Sequence, residues 1–427
     1  MSKEHTNYRW VIATLIFFIT MVNFIDRSAI SFVIVPLKEE FHFNDAEFGM
    51  ILSAFGVGYI LLTVLGGWMV DTFGTRIVWP IAAIGWSICV GLLGIAAGFW
   101  SFIAIRFLLG VTEGPHFPAM TRSISNWLSP TERARALSLG LVAIPLSAVV
   151  GAPITSILVA DYGWRTMFFI ISSIGIVWAF IWLYLFKDRP EDCKYVNEAE
   201  RAIIAAPDPN TNKIKHKVDW RFILLNPVLM ANNIAYFSFG YALFFATLWL
   251  PGYFLKEHNL DLKSVGWYLT IPWLAGAIFL KGGGMLSDYL YRKTGNGRLA
   301  RSHVIWISQL LSAIFFVLLG FTHNLTLSIV FLSFAIGFSL FPQPAFFSVN
   351  IDVAKERAGS AQGITSGCLS LAGVIAPAAT GRIIDMTGSY QGAFLLMAGL
   401  TAIGVITVIL FHHPDKAVKE SWKKALP

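Results

Sequence analysis

Apolar residues run along this 427-residue chain in long unbroken stretches parted by short polar turns. Helix rises 1.5 Å per residue, so about twenty apolar residues cross the ~30 Å hydrocarbon layer of a bilayer. Twelve stretches meet that length, near 10–35, 48–70, 77–98, 100–121, 136–160 and 164–186, then 228–255, 265–287, 303–321, 325–347, 359–380 and 389–411. Their apolar residues are continuous rather than alternating, which excludes a transmembrane β-barrel. The pattern predicts an all-α integral membrane protein with two six-helix halves, 1–186 and 228–427, joined by a hydrophilic linker over 187–227. The linker carries Pro190, Pro207 and Pro209 and many charges, with room for a short surface helix.

Composition agrees. Hydrophobic residues make up 56% of the chain and charged residues 13%, against about a quarter charged in a soluble domain. The first stretch follows Lys3 and Arg9 like a signal peptide, but it is too long and lacks a small-residue cleavage site. It reads as an uncleaved first helix. The net charge of +7 does not point to nucleic acid, because Lys and Arg lie scattered in the turns. Cys89 and Cys368 fall inside apolar stretches and Cys193 in the linker, a pattern that suggests neither a disulfide framework nor a metal site.

The basic residues orient the chain. The two tails, the linker and the stretches 71–76, 131–135, 292–301 and 355–357 hold 23 of the 32 Lys and Arg, and the opposite turns hold only Lys38, Arg165, Lys256, Lys263 and Arg382. Positive charge stays inside, so both termini are expected in the cytoplasm, as an even helix count also requires. The halves repeat one another. Gly67-Trp68-Met69-Val70-Asp71 returns as Gly284-Met285-Leu286-Ser287-Asp288; Glu132-Arg133-Ala134, Ala152-Pro153 and Asp161 return 224 residues later as Glu356-Arg357-Ala358, Ala376-Pro377 and Asp385. Parallel duplicated halves are a transporter architecture.

Four charges lie deep in apolar stretches: Asp26, Arg27, Arg106 and Glu113. Each costs about 2.5 kcal/mol or more to bury in hydrocarbon, so each is a functional candidate. Arg27 and Arg106 both fall about 7 Å outward of the middle of their spans, and Glu113 near the middle. Arg106 and Glu113, two turns apart, share a helix face, whereas Asp26 and Arg27 diverge by about 100°. Two arginines at one depth suit a carboxylate, which guanidinium grips as a fork. Two acids beside them suit proton carriage, with both species competing for the arginines. A static salt-bridge network between helices 1 and 4 is the plainer alternative.

Gly67-x-x-x-Asp71-x-x-Gly74-x-Arg76 between helices 2 and 3, with its second copy at Asp288 and Arg292, resembles the loop signature of the major facilitator superfamily. Its glycines would permit close approach and a tight turn, and its acid and base would bridge neighbouring helices, a gating and structural role. Asn23-Phe24-Ile25-Asp26-Arg27, Phe55-Gly56-Val57-Gly58-Tyr59 and Arg106-Phe107-Leu108-Leu109-Gly110-Val111-Thr112-Glu113-Gly114 resemble segments of its anion:cation symporter family, and the similarity covers essentially the whole chain. That resemblance implies proton or sodium coupling to an organic anion. It implies Asp26 and Glu113 as proton-titrating acids, Arg27 and Arg106 in substrate binding or coupling, and Tyr59 as a cavity tyrosine. Phe24 stands where some sugar-acid carriers have Tyr, and Ser366 and Ser370 where relatives often have Asn.

The second half offers neutral polar groups instead: Asn232, Asn233, Tyr241, Gln343, Asn350, Gln362, Ser366 and Ser370. Of these, Tyr241, Gln343, Ser366 and Ser370 join the substrate candidates, although such side chains also serve as glue between helices. His116, one turn after Glu113, could tune a proton step or simply pack. Lys281 and Arg122 are expected to snorkel. Gly282-Gly283-Gly284 lacks the Gly-Lys-Ser/Thr ending of a phosphate loop, and no metal cluster or nucleophile constellation stands out. The expectation is a monomeric bacterial inner-membrane protein without a cofactor that imports an organic anion, such as a sugar acid, with protons. A proton-driven exporter, a non-transporting sensor and a membrane enzyme are the alternatives, in falling order.

Overall fold

A computed structural model describes residues 6–129, 131–205, 220–354 and 358–415. Twelve spanning helices follow one another. Here α1 is Tyr8–Ala29 running through a tightened turn into Ile34–Phe41, α2 is Asp45–Phe73, α3 is Thr75–Leu93, and α4 is Phe99–Glu113 with His116–Trp127. One helical stretch, Arg133–Leu185, holds both α5 (133–162) and α6 (164–185). They part at Gly163, whose φ of 80° and ψ of 159° suit a residue without Cβ. After the linker come α7 (Pro227–Leu248 with Leu250–Glu257), α8 (Leu262–Thr294), α9 (His303–Gly320), α10 (Leu325–Leu340 with Gln343–Ala354), α11 (Ala358–Thr387) and α12 (Gln391–Phe411). Ten stretches are long and apolar enough to cross a membrane as they stand. Dividing one of them at Gly163 and joining the two pieces of α4 gives twelve.

Polar residues set the ends. Asn226 accepts from the backbone N–H of Val228 and Leu229 at the start of α7, with Pro227 in the first turn, where a missing N–H costs nothing. Asp261 caps α8 and Asn324 caps α10 in the same way, and Gly295 closes α8 in the left-handed conformation. Large apolar side chains such as Trp100, Ile81, Phe180 and Ile278 point outward, the distribution of a protein whose solvent is lipid.

Two compact units result, residues 1–43 with 54–213 and residues 44–53 with 214–427. In the first unit α1 packs on α5 and α6, and α3 on α4 and α6. In the second unit α7 packs on α11 and α12, and α9 on α10 and α12, the same scheme six helices on. The start of α2 belongs to the second unit, where Ser53 Oγ accepts from the Ala378 backbone N–H at 3.0 Å.

The linker is less free-standing than its polarity suggests. Residues 187–205 are built into the first unit. Trp127 Nε1 donates to the Lys187 carbonyl at 2.8 Å, and Asp188 accepts from Thr75 Oγ1 at 3.0 Å and the Arg76 backbone N–H at 3.1 Å. A short helix, Glu198–Ile204, turns Glu200 onto the start of α1. Its buried carboxylate accepts from Thr6 Oγ1, from the backbone N–H groups of Tyr8 and Arg9, and from Arg9 Nη1. Arg9 in turn holds Glu132 at 3.0 Å. Glu356 and Arg357 of the repeated triplet lie outside the described residues.

Candidate functional site

The first unit gathers the four membrane-buried charges. On α1, Asn23, Asp26 and Arg27 lie three and four residues apart and are all buried. On α4, Arg106 and Glu113 are wholly buried. The first piece of α4 stops after Glu113 at Gly114-Pro115 and resumes at His116. The middle of α2 is drawn onto α4 by two glycines. A Cβ on Gly58 would sit 2.0 Å from the Phe107 carbonyl oxygen, and one on Gly110 would sit 2.0 Å from that of Phe55. Only hydrogen fits in that seam, and the closeness carries the Phe55 and Tyr59 rings to the arginines.

Arg27 is paired. Its Nη2 and Nε donate to the same Glu113 oxygen at 2.7 and 3.2 Å, and Nη2 reaches Asn23 Oδ1 at 3.4 Å. Its guanidinium carbon stands 4.6 Å from the Phe24 ring centre, 4.7 Å from that of Phe55 and 5.0 Å from that of Tyr59. Arg106 is the opposite case. It lies 4.9 Å from the centre of the same Phe55 ring, and none of its three guanidinium nitrogens makes a hydrogen bond. A cation over an aromatic face gains about 0.5–2 kcal/mol, less than the several kcal/mol that desolvating an ion costs. A buried guanidinium with five unspent donors beside a paired one is a ready anion seat. Asp26 is equally isolated. Its carboxylate is wholly buried and neither oxygen makes a hydrogen bond, its polar neighbours being the Trp86 indole and Glu113.

Glu113 hydrogen-bonds Arg27, Asp26 lies beside the Trp86 indole of α3, and Arg106 feels the Glu113 charge without a hydrogen bond to it. Tyr59 stands with the cluster, half-buried and stacked on Phe55. In the second unit, Tyr241 is buried with its hydroxyl 3.2 Å from Thr380 Oγ1, so its polar end is already engaged. Gln343 and Ser370 are half-buried and Ser366 is exposed. The hydrogen-bonded cluster of that unit consists of other residues. Asn350 Nδ2 donates to Gln362 Oε1 and Thr365 Oγ1 at 2.9 Å, Thr365 donates to Asn233 Oδ1 at 2.7 Å, and Asn232 donates to Asn350 Oδ1 at 3.3 Å.

The acid and base of the first loop motif each reach a neighbouring helix. Asp71 meets Arg122 of α4 at 3.8 Å, both well exposed, while Arg76 turns to the Leu183 carbonyl. Arg122 thus has a partner, and Lys281 is exposed. Gly74 makes the turn at φ 82°, with Asp188 where its Cβ would be, but nothing approaches Gly67 within 4 Å. In the second copy Arg292 is exposed and reaches only the Asp288 carbonyl of its own helix. The cation for Asp288 is Arg301, which bonds Asp288 at 3.1 Å and Asp352 at 3.4 Å. The contribution of Asn23, Phe55 and Trp86 to the charged cluster was not anticipated. Asn23 and Phe55 had a signal in the family segments they open; Trp86 had none beyond lying in a facing helix.

The Major Facilitator Superfamily profile matches residues 16–300 and 296–426, and the chain belongs to that superfamily. It is a multi-pass membrane transporter. It is 31% identical over 404 residues to a hexuronate transporter of Bacillus subtilis, across 93% of each chain. It is 28% identical to a probable sulfoacetate transporter of Cupriavidus necator, across 99% of this chain and 98% of the relative. It is 29% identical to a chloroplastic ascorbate transporter of Arabidopsis thaliana, across 96% of this chain and 75% of the relative. Among solved structures, a bacterial homologue of the lysosomal transporter Spinster superposes with a TM-score of 0.77 at 16% identity, over 99% of both chains. A D-xylose-proton symporter gives 0.76 at 16%, over 96% of this chain and 99% of that one. These two establish the fold.

Proposed function

We propose that this transporter takes up an organic anion, a sugar acid such as a hexuronate, together with protons. The observation that carries the proposal is Arg106, a wholly buried guanidinium with no hydrogen bond, against the same ring as Arg27. A substrate carboxylate supplies the missing charge and can be gripped by both forks. The coupling runs through Glu113. While it is ionised it holds Arg27; once protonated it releases Arg27 to share the carboxylate with Arg106. Asp26 is a second proton site, because an ionised carboxylate there has no hydrogen bond to compensate its lost water. Relatives that carry hexuronate, sulfoacetate and ascorbate support an anionic substrate, and the proton-coupled structural relative supports the energy source. The site needs no cofactor, and the protein acts as a monomer in the inner membrane of a bacterium with both termini in the cytoplasm.

The test is uptake into liposomes under an imposed inward proton gradient, with radiolabelled D-glucuronate, galactarate, gluconate, sulfoacetate and ascorbate. Concentrative uptake of a sugar acid is expected, collapsed by a proton ionophore and abolished in Arg106→Ala. In Glu113→Gln, equilibrative exchange is expected to survive without accumulation. Accumulation that persists in Glu113→Gln overturns the coupling, and transport of a loaded acid outward under the same gradient overturns the direction.

A further inference from the structure

We propose that His116 is the proton relay of this site, accepting protons at Nδ1 as they pass between the carboxylates of Asp26 and Glu113 and the face of the first unit that carries its N-terminus. The inference rests on the proton-coupled reading above and adds the route by which protons reach the acids.

His116 opens the second piece of α4 and is wholly buried. Nε2 lies 3.3 Å from Thr20 Oγ1, and the Thr20 hydroxyl is 2.8 Å from the Ile16 carbonyl, to which it can donate. With the hydroxyl hydrogen on Ile16, its oxygen offers His116 a lone pair, and the relay assigns the ring hydrogen to Nε2. The remaining nitrogen, Nδ1, is then a bare lone pair, buried and without a hydrogen-bond partner. Buried side-chain polar atoms are mostly hydrogen-bonded, so the unpartnered nitrogen calls for an explanation. The ring cannot turn away from the role. Trp79, Trp86 and Phe117 meet it edge to face at 5.5, 5.9 and 5.1 Å.

Its position suits a relay. Along α4 it lies about 4.5 Å from Glu113 towards the terminal face, and Thr20 lies about 9 Å from Asp26 in the same direction. Trp86 stands between the two functions, its indole beside Asp26 and its ring against His116. Beyond His116, towards the same face, Trp79 Nε1 and Ser123 Oγ are also buried without hydrogen bonds. Ser123 follows His116 by two turns, on one face of the helix. Most buried side-chain polar atoms that lack a hydrogen bond among the described residues belong to α1, α3 and α4. Buried polar atoms of this kind are generally paired by ordered water, which carries protons between them. The charge that acts on the ring is Arg27 on α1, with Glu113 one turn back on its own helix; α3 presents the indoles of Trp79 and Trp86. The step conserves protons. Nδ1 gains one to form imidazolium, the same proton passes on to a carboxylate, and the ring returns to its Nε2–H form.

A relay changes the rate at which the acids fill and leaves their equilibrium alone. The experiment uses purified protein without substrate and follows the infrared band of protonated carboxyl groups after photolysis of a caged acid, with Asp26→Asn and Glu113→Gln assigning the band. In His116→Gln the band is expected to reach the wild-type amplitude at each pH, but about a hundredfold more slowly, the usual worth of a positioned acid–base group. In His116→Ala, imidazole added to the solution is expected to restore the speed. Wild-type speed in His116→Gln overturns the relay, as does failure of imidazole to rescue a folded His116→Ala. A wild-type protein with no band lost in either acid variant overturns the proton-coupled reading itself, and the relay with it.

Discussion

At the scale of the residue, Arg27 and Arg106 show how differently two buried cations can be held. Arg27 is paired with Glu113 and Asn23 through Nε and Nη2, whereas Arg106 has aromatic contact and no hydrogen bond. Removing a partner from a buried pair leaves an uncompensated charge and costs about 3–5 kcal/mol, whereas removing a buried charge that has no hydrogen bond relieves its desolvation penalty. Glu113→Leu is therefore expected to lower the melting temperature of the detergent-purified protein, and Arg106→Met to leave it unchanged or raise it while abolishing uptake. A clear fall in Arg106→Met would show that this guanidinium has a structural partner and would remove the main support for an anion seat. All four charges were legible in the chain, because charges are rare in apolar runs and their depth follows from the helical rise. Which acid serves which arginine was not. That depends on how far α1 is rotated against α4, which is fixed by contacts such as Ile25 against Gly151 and has no signature in spacing alone. The second loop motif failed for a related reason. Position in the repeat marks Arg292, but the chain turns back after Gly295 and brings Arg301 to Asp288 instead.

At the scale of the element, the site is held by the α2–α4 seam and by the clamp at the start of α1. Gly58→Val is expected to prevent assembly, since its Cβ would fall inside contact distance of the Phe107 carbonyl and backbone cannot give way as a side chain can. Gly67→Ala, with open space around it, is expected to give the wild-type elution profile in size-exclusion chromatography. Loss of monodisperse protein in Gly67→Ala and not in Gly58→Val would invert this account. The clamp makes a prediction in pH. Partial burial pushes the Glu132 carboxyl up, but the Arg9 guanidinium outweighs it and holds the group below its ordinary value of 4.5. A group with a depressed folded-state pKa stabilises the protein above its unfolded value and loses that contribution as pH falls through the folded one. The gap in melting temperature between wild type and Glu132→Gln should thus be constant from neutrality down to about pH 4.5 and close below it. A gap that widens on acidification would refute the assignment. Span lengths and the linker's polarity were readable from hydropathy, but the docking of 187–205 was not, because its contacts join residues such as Arg9 and Glu200 that are far apart in the chain.

At the scale of the whole molecule, duplication and charge asymmetry make the strongest joint claim. The helix pairs that pack in the first unit recur six helices on in the second. The tails, the linker and the turns grouped with them hold the Lys and Arg surplus, and the opposite turns hold Lys38, Arg165, Lys256, Lys263 and Arg382. The proposed orientation puts the basic set in the cytoplasm, as the positive-inside rule asks. Two single-cysteine proteins test this in a background with Cys89, Cys193 and Cys368 replaced. Tyr195→Cys lies in the exposed part of the linker and Lys263→Cys at the exposed start of α8. A membrane-impermeant maleimide is expected to label Tyr195→Cys in inside-out vesicles and Lys263→Cys in right-side-out vesicles. The reverse pattern would place the termini outside. The route past His116 would then open to the exterior, and a protein drawing protons through it would release them to the cytoplasm from the other end of the site.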